Sequence, residues 1–300
     1  MKIISMPTDI SNLKQSLLYC DCFVVGIKDF SIGHSFYLTI EELKELIPIL
    51  KDNNKEIFVS LNKIMHNDDI SRLEKIIIEL NKLDIDGLLY GDIALINMIN
   101  RLNLKIPLIW AQSHLVTNYQ TCNFWYKRGI KKAIISEEIT LNEILEINNN
   151  TNMKLIVPVY GFLTMFLSKR KLLSNYFNFI KEQKQESIYY LYEKSRNSNY
   201  PIIEEDNGTY ILNSDILNGL DELPILINNN IDYVLLNGLN HDSDTFLEVL
   251  KRFSKVKTMY NKLSKIELDK VSSEINDLLK FPVDKGFYYK ETIYKVKNNE

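Results

Sequence analysis

The stretch LIVPVYG, residues 155–161, is an unbroken run of branched and aromatic side chains, and it is followed at once by a basic segment, MFLSKRKLLSNYF (165–177). A run with no polar alternation fits a strand covered on both faces, which is the habit of a parallel sheet. Seven more runs of this kind stand along the chain. They are KIISMP (2–7), CFVVGI (22–27), EIFVSLN (56–62), GLLYGD (87–92), PLIWAQ (107–112), KAIISEE (132–138) and YVLLNG (233–238).

Amphipathic stretches separate them. SRLEKIIIELNKLDI (71–85) puts Leu73, Ile76, Ile77, Leu80 and Leu83 on one helical stripe. TLNEILEI opens with Thr140 as an N-cap and Glu143 three residues later, a capping-box pair. NSDILNGLDELPILINNN (213–230) and HDSDTFLEVLKRF (241–253) read as the last two helices. Eight strands alternating with helices predict an α/β fold, a (β/α)8 TIM-like barrel with a long insertion between strands seven and eight. Residues 1–300 then form one barrel domain, with the insertion at about 162–214 and a C-terminal extension at about 262–300. Neither GxGxxG nor GxxxxGK[ST] is present to support a Rossmann or P-loop reading.

Composition narrows the function classes. A formal charge of −3 over 300 residues excludes a broadly cationic nucleic-acid surface but leaves room for a local basic patch. No window approaches the roughly 18 unbroken apolar residues of a membrane span, and the N-terminus lacks a signal-peptide core, so a cytoplasmic protein with no membrane partner is expected. Cys20, Cys22 and Cys122 are too few for a disulfide framework. Cys20 and Cys22 flank Asp21 at strand spacing, which predicts two small core residues on one face. With no CxxC or HxxxH, no metal site is expected.

A barrel carries its chemistry at the C-terminal ends of its strands. The catalytic candidates there are Asn62, His66, Asp92, His114, Glu138 and Tyr160, with Gln112, Glu137 and Asn237 beside them. Each has a plainer reading: Asp92 equally caps the helix that follows, and His66 equally orders its loop. Glu137 and Glu138 alternate faces, so at most one points into the mouth; Glu138 is assigned a hydrogen bond to a neighbouring backbone group or cation.

Seven stretches carry a resemblance. In chain order they are DCFVVG, LNKIMHND, DGLLYGD, TNYQTCNFWYKRGIKKAIISEEI, YGFLTMFLSKRKLLSNYF, NYPIIEEDNGTYILNSDI and KGFYYKETIY, running from about residue 20 to 294. Together they resemble peptidase family U-32, the collagenase-like peptidases, and within it the short, cysteine-poor member of a tandem pair. The resemblance implies oxygen-insertion chemistry: hydroxylation of ubiquinone precursors, of a ribosomal RNA cytidine, or of the tRNA wobble uridine to 5-hydroxyuridine, the last dependent on prephenate. It also implies an iron–sulfur cluster held by four cysteines in several members, and heterodimers of related chains.

The sequence departs from the family where the cluster would sit. The first cluster cysteine falls at Thr164, a second ligand position falls at Leu217 in Asp215-Ile216-Leu217, and residues 165–200 contain no cysteine. A [4Fe–4S] cluster takes about four thiolates, so this chain is expected to bind none, and the cluster is expected on a longer, cysteine-bearing paralogue as partner. Asn237 and Leu239 replace the glutamate and arginine of the family's KIEGR. The basic segment then reads as a remnant of the cluster-binding stretch. Lys169, Arg170 and Asn175, with Lys171, are its substrate-binding candidates, for an RNA phosphate or for a dicarboxylate such as prephenate. A partner-docking or solvated loop is the alternative.

The expected function is a subunit of a tRNA wobble-uridine hydroxylation system, with tRNA and the paralogue as partners, either catalytic or purely a scaffold. The alternative is the peptidase of the family's name. No HExxH or GxSxG supports it, and Cys122 with His114 eight residues earlier is a weak pair.

Overall fold

The computed structural model describes residues 1–112 and 114–290. Its strands are β1 (Lys2–Met6), β2 (Cys22–Ile27), β3 (Tyr37–Leu38), β4 (Glu56–Leu61), β5 (Gly87–Tyr90), β6 (Leu108–Trp110), β7 (Lys132–Ile134), β8 (Lys154–Ser168), β9 (Ile188–Glu193), β10 (Ser198–Glu205), β11 (Gly208–Asn218), β12 (Tyr233–Asn237) and β13 (Val283–Asp284). Parallel pairing runs through β1, β2, β4, β5, β6, β7 and β8, and β12 closes the ring by pairing with both β8 and β1. This is the (β/α)8 barrel.

Side chains at alternate strand positions fill its interior: Ile4, Val24, Phe58, Leu89, Ile109 and Ile156 belong to one buried cluster. A polar knot lies beneath them at the N-terminal ends. Glu56 is bonded there by Lys2, by Cys22 Sγ at 3.3 Å and by Tyr233 Oη at 3.3 Å. A second, larger cluster joins the outer faces of the strands to the helices. Leu73, Ile77 and Leu80 enter it from the helix Ile70–Leu80, and Ile76 and Leu83 pack against its edge. Thr140 and Glu143 form the reciprocal capping box. Cys20 and Cys22 do not share a face. Cys20 lies in the turn before β2, where strand alternation has not begun, and joins the outer cluster, whereas Cys22 points into the barrel.

β8 does not stop at the barrel rim. At Gly161 (φ +116°) the chain bends, and a Cβ there would collide with the carbonyl of Asn237. Only glycine meets both demands. The strand then continues to Ser168, paired antiparallel with β11, which pairs with β10, and β10 with β9. The insertion is therefore a meander grown from the barrel's own sheet, carrying the helix Leu172–Ile180. Residues 213–218 are the end of β11, not the start of a helix; the predicted helix is limited to Leu223–Asn228. Ile216 and Leu217 are held in the sheet from both sides, by β8 on one edge and by β13 on the other.

The C-terminal extension supplies the helix Lys265–Leu278 and returns to the barrel, where Tyr288 donates its hydroxyl to Pro158 O at 2.6 Å. The last residues of the KGFYYKETIY stretch, 291–294, lie outside the described residues. Among the described residues no helix is long and apolar enough to cross a membrane.

Candidate functional site

The barrel mouth encloses a cavity of about 230 Å³. Its floor is the top of the interior packing, with Leu89, Ile134 and Leu235. One side is closed by the insertion. Asn207, in the β10–β11 turn, donates to Ser31 O at 2.8 Å. Glu205 accepts from Tyr37 Oη and, at 2.7 Å, from Tyr210 Oη. Burial of Glu205 outweighs those bonds and raises its carboxyl above the ordinary range.

Three polar residues stand around this space, although Tyr160 packs its ring on His241, Phe246 and Phe253 in the outer cluster. Glu137 follows β7 and accepts the backbone N–H of Thr164 at 3.2 Å. Burial pushes its carboxyl up to about 7; Thr164 works against this and the nearby Glu138 adds to it. Tyr160, on β8, is buried with its hydroxyl unpartnered, and burial drives that hydroxyl far above its usual range. His34 is buried in the loop after β2, its Nε2 likewise unpartnered, and burial pushes the ring down to about 4, so it is neutral.

The position of His34 is built in stages. Asn62 clamps the loop by accepting Ile32 N–H and donating to Ile32 O, both at 3.0 Å. Ser31 Oγ adds a bond to Ser60 O at 2.5 Å and accepts Ile27 N–H at 2.7 Å. Gly26 leaves the room, since a Cβ there would lie 3.0 Å from the His34 ring.

The sequence candidates divide. Asn62 and Tyr160 line the cavity, and His114 stands at its rim. Glu138 is not in the mouth: its carboxylate is half exposed, with Oε1 3.5 Å from His114 Nδ1, and it is Glu137 that turns inward. Asp92 caps, accepting Ala94 N–H at 2.9 Å. His66 is exposed and orders its loop through a backbone bond to Asp69 at 2.9 Å. Gln112 braces the strand ends, accepting Trp110 Nε1–H at 2.8 Å and donating to Gly91 O. Asn237 lines the cavity and accepts Leu239 N–H at 2.9 Å.

The cations of the basic segment are not part of the cavity lining, which the segment reaches through Leu167. Lys169 bonds Asp69 at 3.1 Å, and Asp69 also takes Lys63 at 2.9 Å. Burial alone would raise the Asp69 carboxyl, but these bonds and the His66 N–H outweigh it and hold the group far below its ordinary range. Lys171 pairs with Asp206 at 3.3 Å. Asn175 is exposed on its helix. Arg170 is exposed and makes no ion pair among the described residues, which leaves it as the segment's available cation. Two of the three cations are thus engaged with acids of this chain.

The residues do not fit a cluster. Thr164 and the buried Leu217 offer no thiolate at the family's ligand positions. Cys20, Cys22 and Cys122 are buried and separate, the first two in different clusters and Cys122 on the helix Tyr119–Lys127. Burial pushes the Cys122 thiol up to about 11, which keeps it protonated and a poor nucleophile. A peptidase built on it finds no support in this geometry.

Comparison with known proteins assigns the chain. The family model described as peptidase family U32 matches residues 10–298. The chain belongs to peptidase family U32. Among its U32 relatives, "tRNA hydroxylation protein P2" of Bacillus subtilis is 28% identical over 91% of this chain and 92% of its own length. "tRNA hydroxylation protein P1" of the same organism is 20% identical over 86% of this chain but 63% of its own, longer sequence. A solved structure titled as a U32 peptidase superposes with a TM-score of 0.51 at 11% identity, covering 79% of this chain and 92% of that one, and supports the barrel.

Proposed function

We propose that this chain is a subunit of a tRNA hydroxylation system that forms 5-hydroxyuridine at the wobble position. It acts beside a longer, cysteine-bearing U32 chain that holds the iron–sulfur cluster. The observation that carries this is the end-to-end similarity to a protein named for tRNA hydroxylation, over nine-tenths of both chains. The ligand positions of this chain agree with the division of labour, since Thr164 and Leu217 cannot bind iron through sulfur.

The chain's own contribution centres on the mouth cavity. Glu137, balanced between acid and carboxylate near neutral pH, can hold or pass a proton there. The cavity lining contains no Lys or Arg among the described residues, so prephenate, a dicarboxylate, finds no counter-charge inside it. Arg170 remains for an anion at the surface, whether RNA phosphate or carboxylate.

Co-expression with the longer chain tests the pairing. A stable complex burying on the order of 1,200–2,000 Å² should survive gel filtration at micromolar concentration and retard tRNA in a native gel. Separation of the two chains on the column would remove the two-subunit reading.

A further inference from the structure

The insertion ends in an open edge. β9 pairs with β10 on one side and, among the described residues, with no strand on the other. Such an edge leaves a row of N–H and C=O groups free to take another strand, and proteins commonly guard it with Lys, Pro or a bulge. The interior of β9, IYYLY (188–192), carries no charge and no Pro, and its ladder with β10 runs without a register shift.

The side chains leave the same edge uncovered. Tyr190, Leu191 and Tyr192 are exposed, and they alternate over both faces of the strand. Phe177 of the helix Leu172–Ile180 meets Tyr189 at 4.9 Å between ring centres, and the same helix exposes Tyr176 and, at 84%, Phe179. Aromatic and apolar surface is thus concentrated on and beside one unpaired strand.

Charge selects the occupant. Glu186 stands four residues before Tyr190 and Lys194 four residues after it. Neither makes an ion pair among the described residues. Two antiparallel copies of β9 centred on Tyr190 place Ile188 opposite Tyr192 and Glu186 opposite Lys194. The two-fold axis makes each contact twice, so the edge is complementary to itself. In a parallel, in-register pair the same charges would face their own kind.

We infer that β9 is a dimerisation edge, on which a second copy of this chain pairs antiparallel about Tyr190 and joins the two insertions into one continuous sheet. An isologous pair of this sort uses up both edges and closes at two copies. The inference stands apart from the tRNA reading, and the outcome for one does not decide the other.

Sedimentation velocity on the purified full chain, from about 1 to 100 µM, reads the association. A dimer should form across that range. Tyr190→Lys sets two like charges face to face on the axis and should raise the dissociation constant about tenfold or more. Glu186→Lys should weaken the dimer several-fold. Adding Lys194→Glu to it should restore the wild-type affinity, because the swap keeps opposite charges opposed. These positions are exposed, so melting temperatures should hold. Tyr190→Cys should cross-link to its copy on mild oxidation, since paired strands set opposed Cα atoms about 4.5–5.5 Å apart, within disulfide reach. The three natural cysteines are buried and do not compete. A monomer at about 100 µM, a dimer indifferent to Tyr190→Lys, or aggregates without a discrete dimer would each overturn the inference. So would a chain that is monomeric alone and loses the longer U32 chain on Tyr190→Lys, which would give the edge to that partner.

Discussion

The backbone N–H of Thr164 donates to Glu137 Oε2 at 3.2 Å, tying the part of β8 that leaves the barrel to the acid at the end of β7. The contact comes from main chain, so it does not depend on the side chain at 164. Thr164, where the family resemblance leads one to expect a cluster cysteine, therefore orients a partly buried acid instead.

Glu137 makes the fold pH-sensitive. Its folded-state value near 7 lies above its ordinary 4.5, so between those values the folded protein keeps a proton that the unfolded chain releases. Stability from this group is present at low pH and lost as pH rises from about 4.5 through 7, by roughly 3 kcal/mol in all. Glu137→Gln should therefore raise the urea midpoint at about pH 8 and change little at about pH 5. Equal effects at both would show that the group is not held protonated.

Asp69 and Lys169 share an ion pair but should not share a cost. Asp69→Ala strands the buried Lys63 and should destabilise by roughly 3 kcal/mol. Lys169 is a third exposed, and Lys169→Ala should cost about 0.5–1 kcal/mol. Urea unfolding of the two variants checks the ordering, and a larger loss in the lysine variant would contradict it.

Gly161 and Gly129 both have positive φ, but only Gly161 is crowded. Gly161→Ala adds a clash with Asn237 O to backbone strain of about 1–3 kcal/mol, whereas Gly129→Ala meets open space. Thermal melting should drop further for the first. Similar melting temperatures would mean that β8 does not need its bend.

The barrel was legible because each of its strands is an apolar run long enough to be recognised without partners. The meander was only partly so: NSDILN looks helical beside LDELPILI until the pairing with β8 and β13 is known. Among the site residues, Asn62 and Tyr160 follow from strand ends. The choice between Glu137 and Glu138 does not, because the chain after Ile134 has left regular strand geometry and alternation cannot assign a face. His34 was missed since it lies in the loop after β2, eight residues past Gly26, whose missing side chain was its one local signal. Lys169 and Lys171 looked available because their partners, Asp69 and Asp206, are distant in sequence or on another strand turn.

Purified anaerobically and alone, the chain should be colourless and contain no stoichiometric iron or sulfide. Iron and sulfide analysis with visible absorption checks this. A brown protein with about four irons per chain would mean that ligands other than those of the family positions hold a cluster.

The central claim is tested most directly by nucleoside mass spectrometry of tRNA from a strain lacking this gene, with and without the restored wild-type chain. The account predicts that 5-hydroxyuridine and nucleosides derived from it fall in the deletion and return on complementation. Unchanged 5-hydroxyuridine in the deletion strain would contradict it.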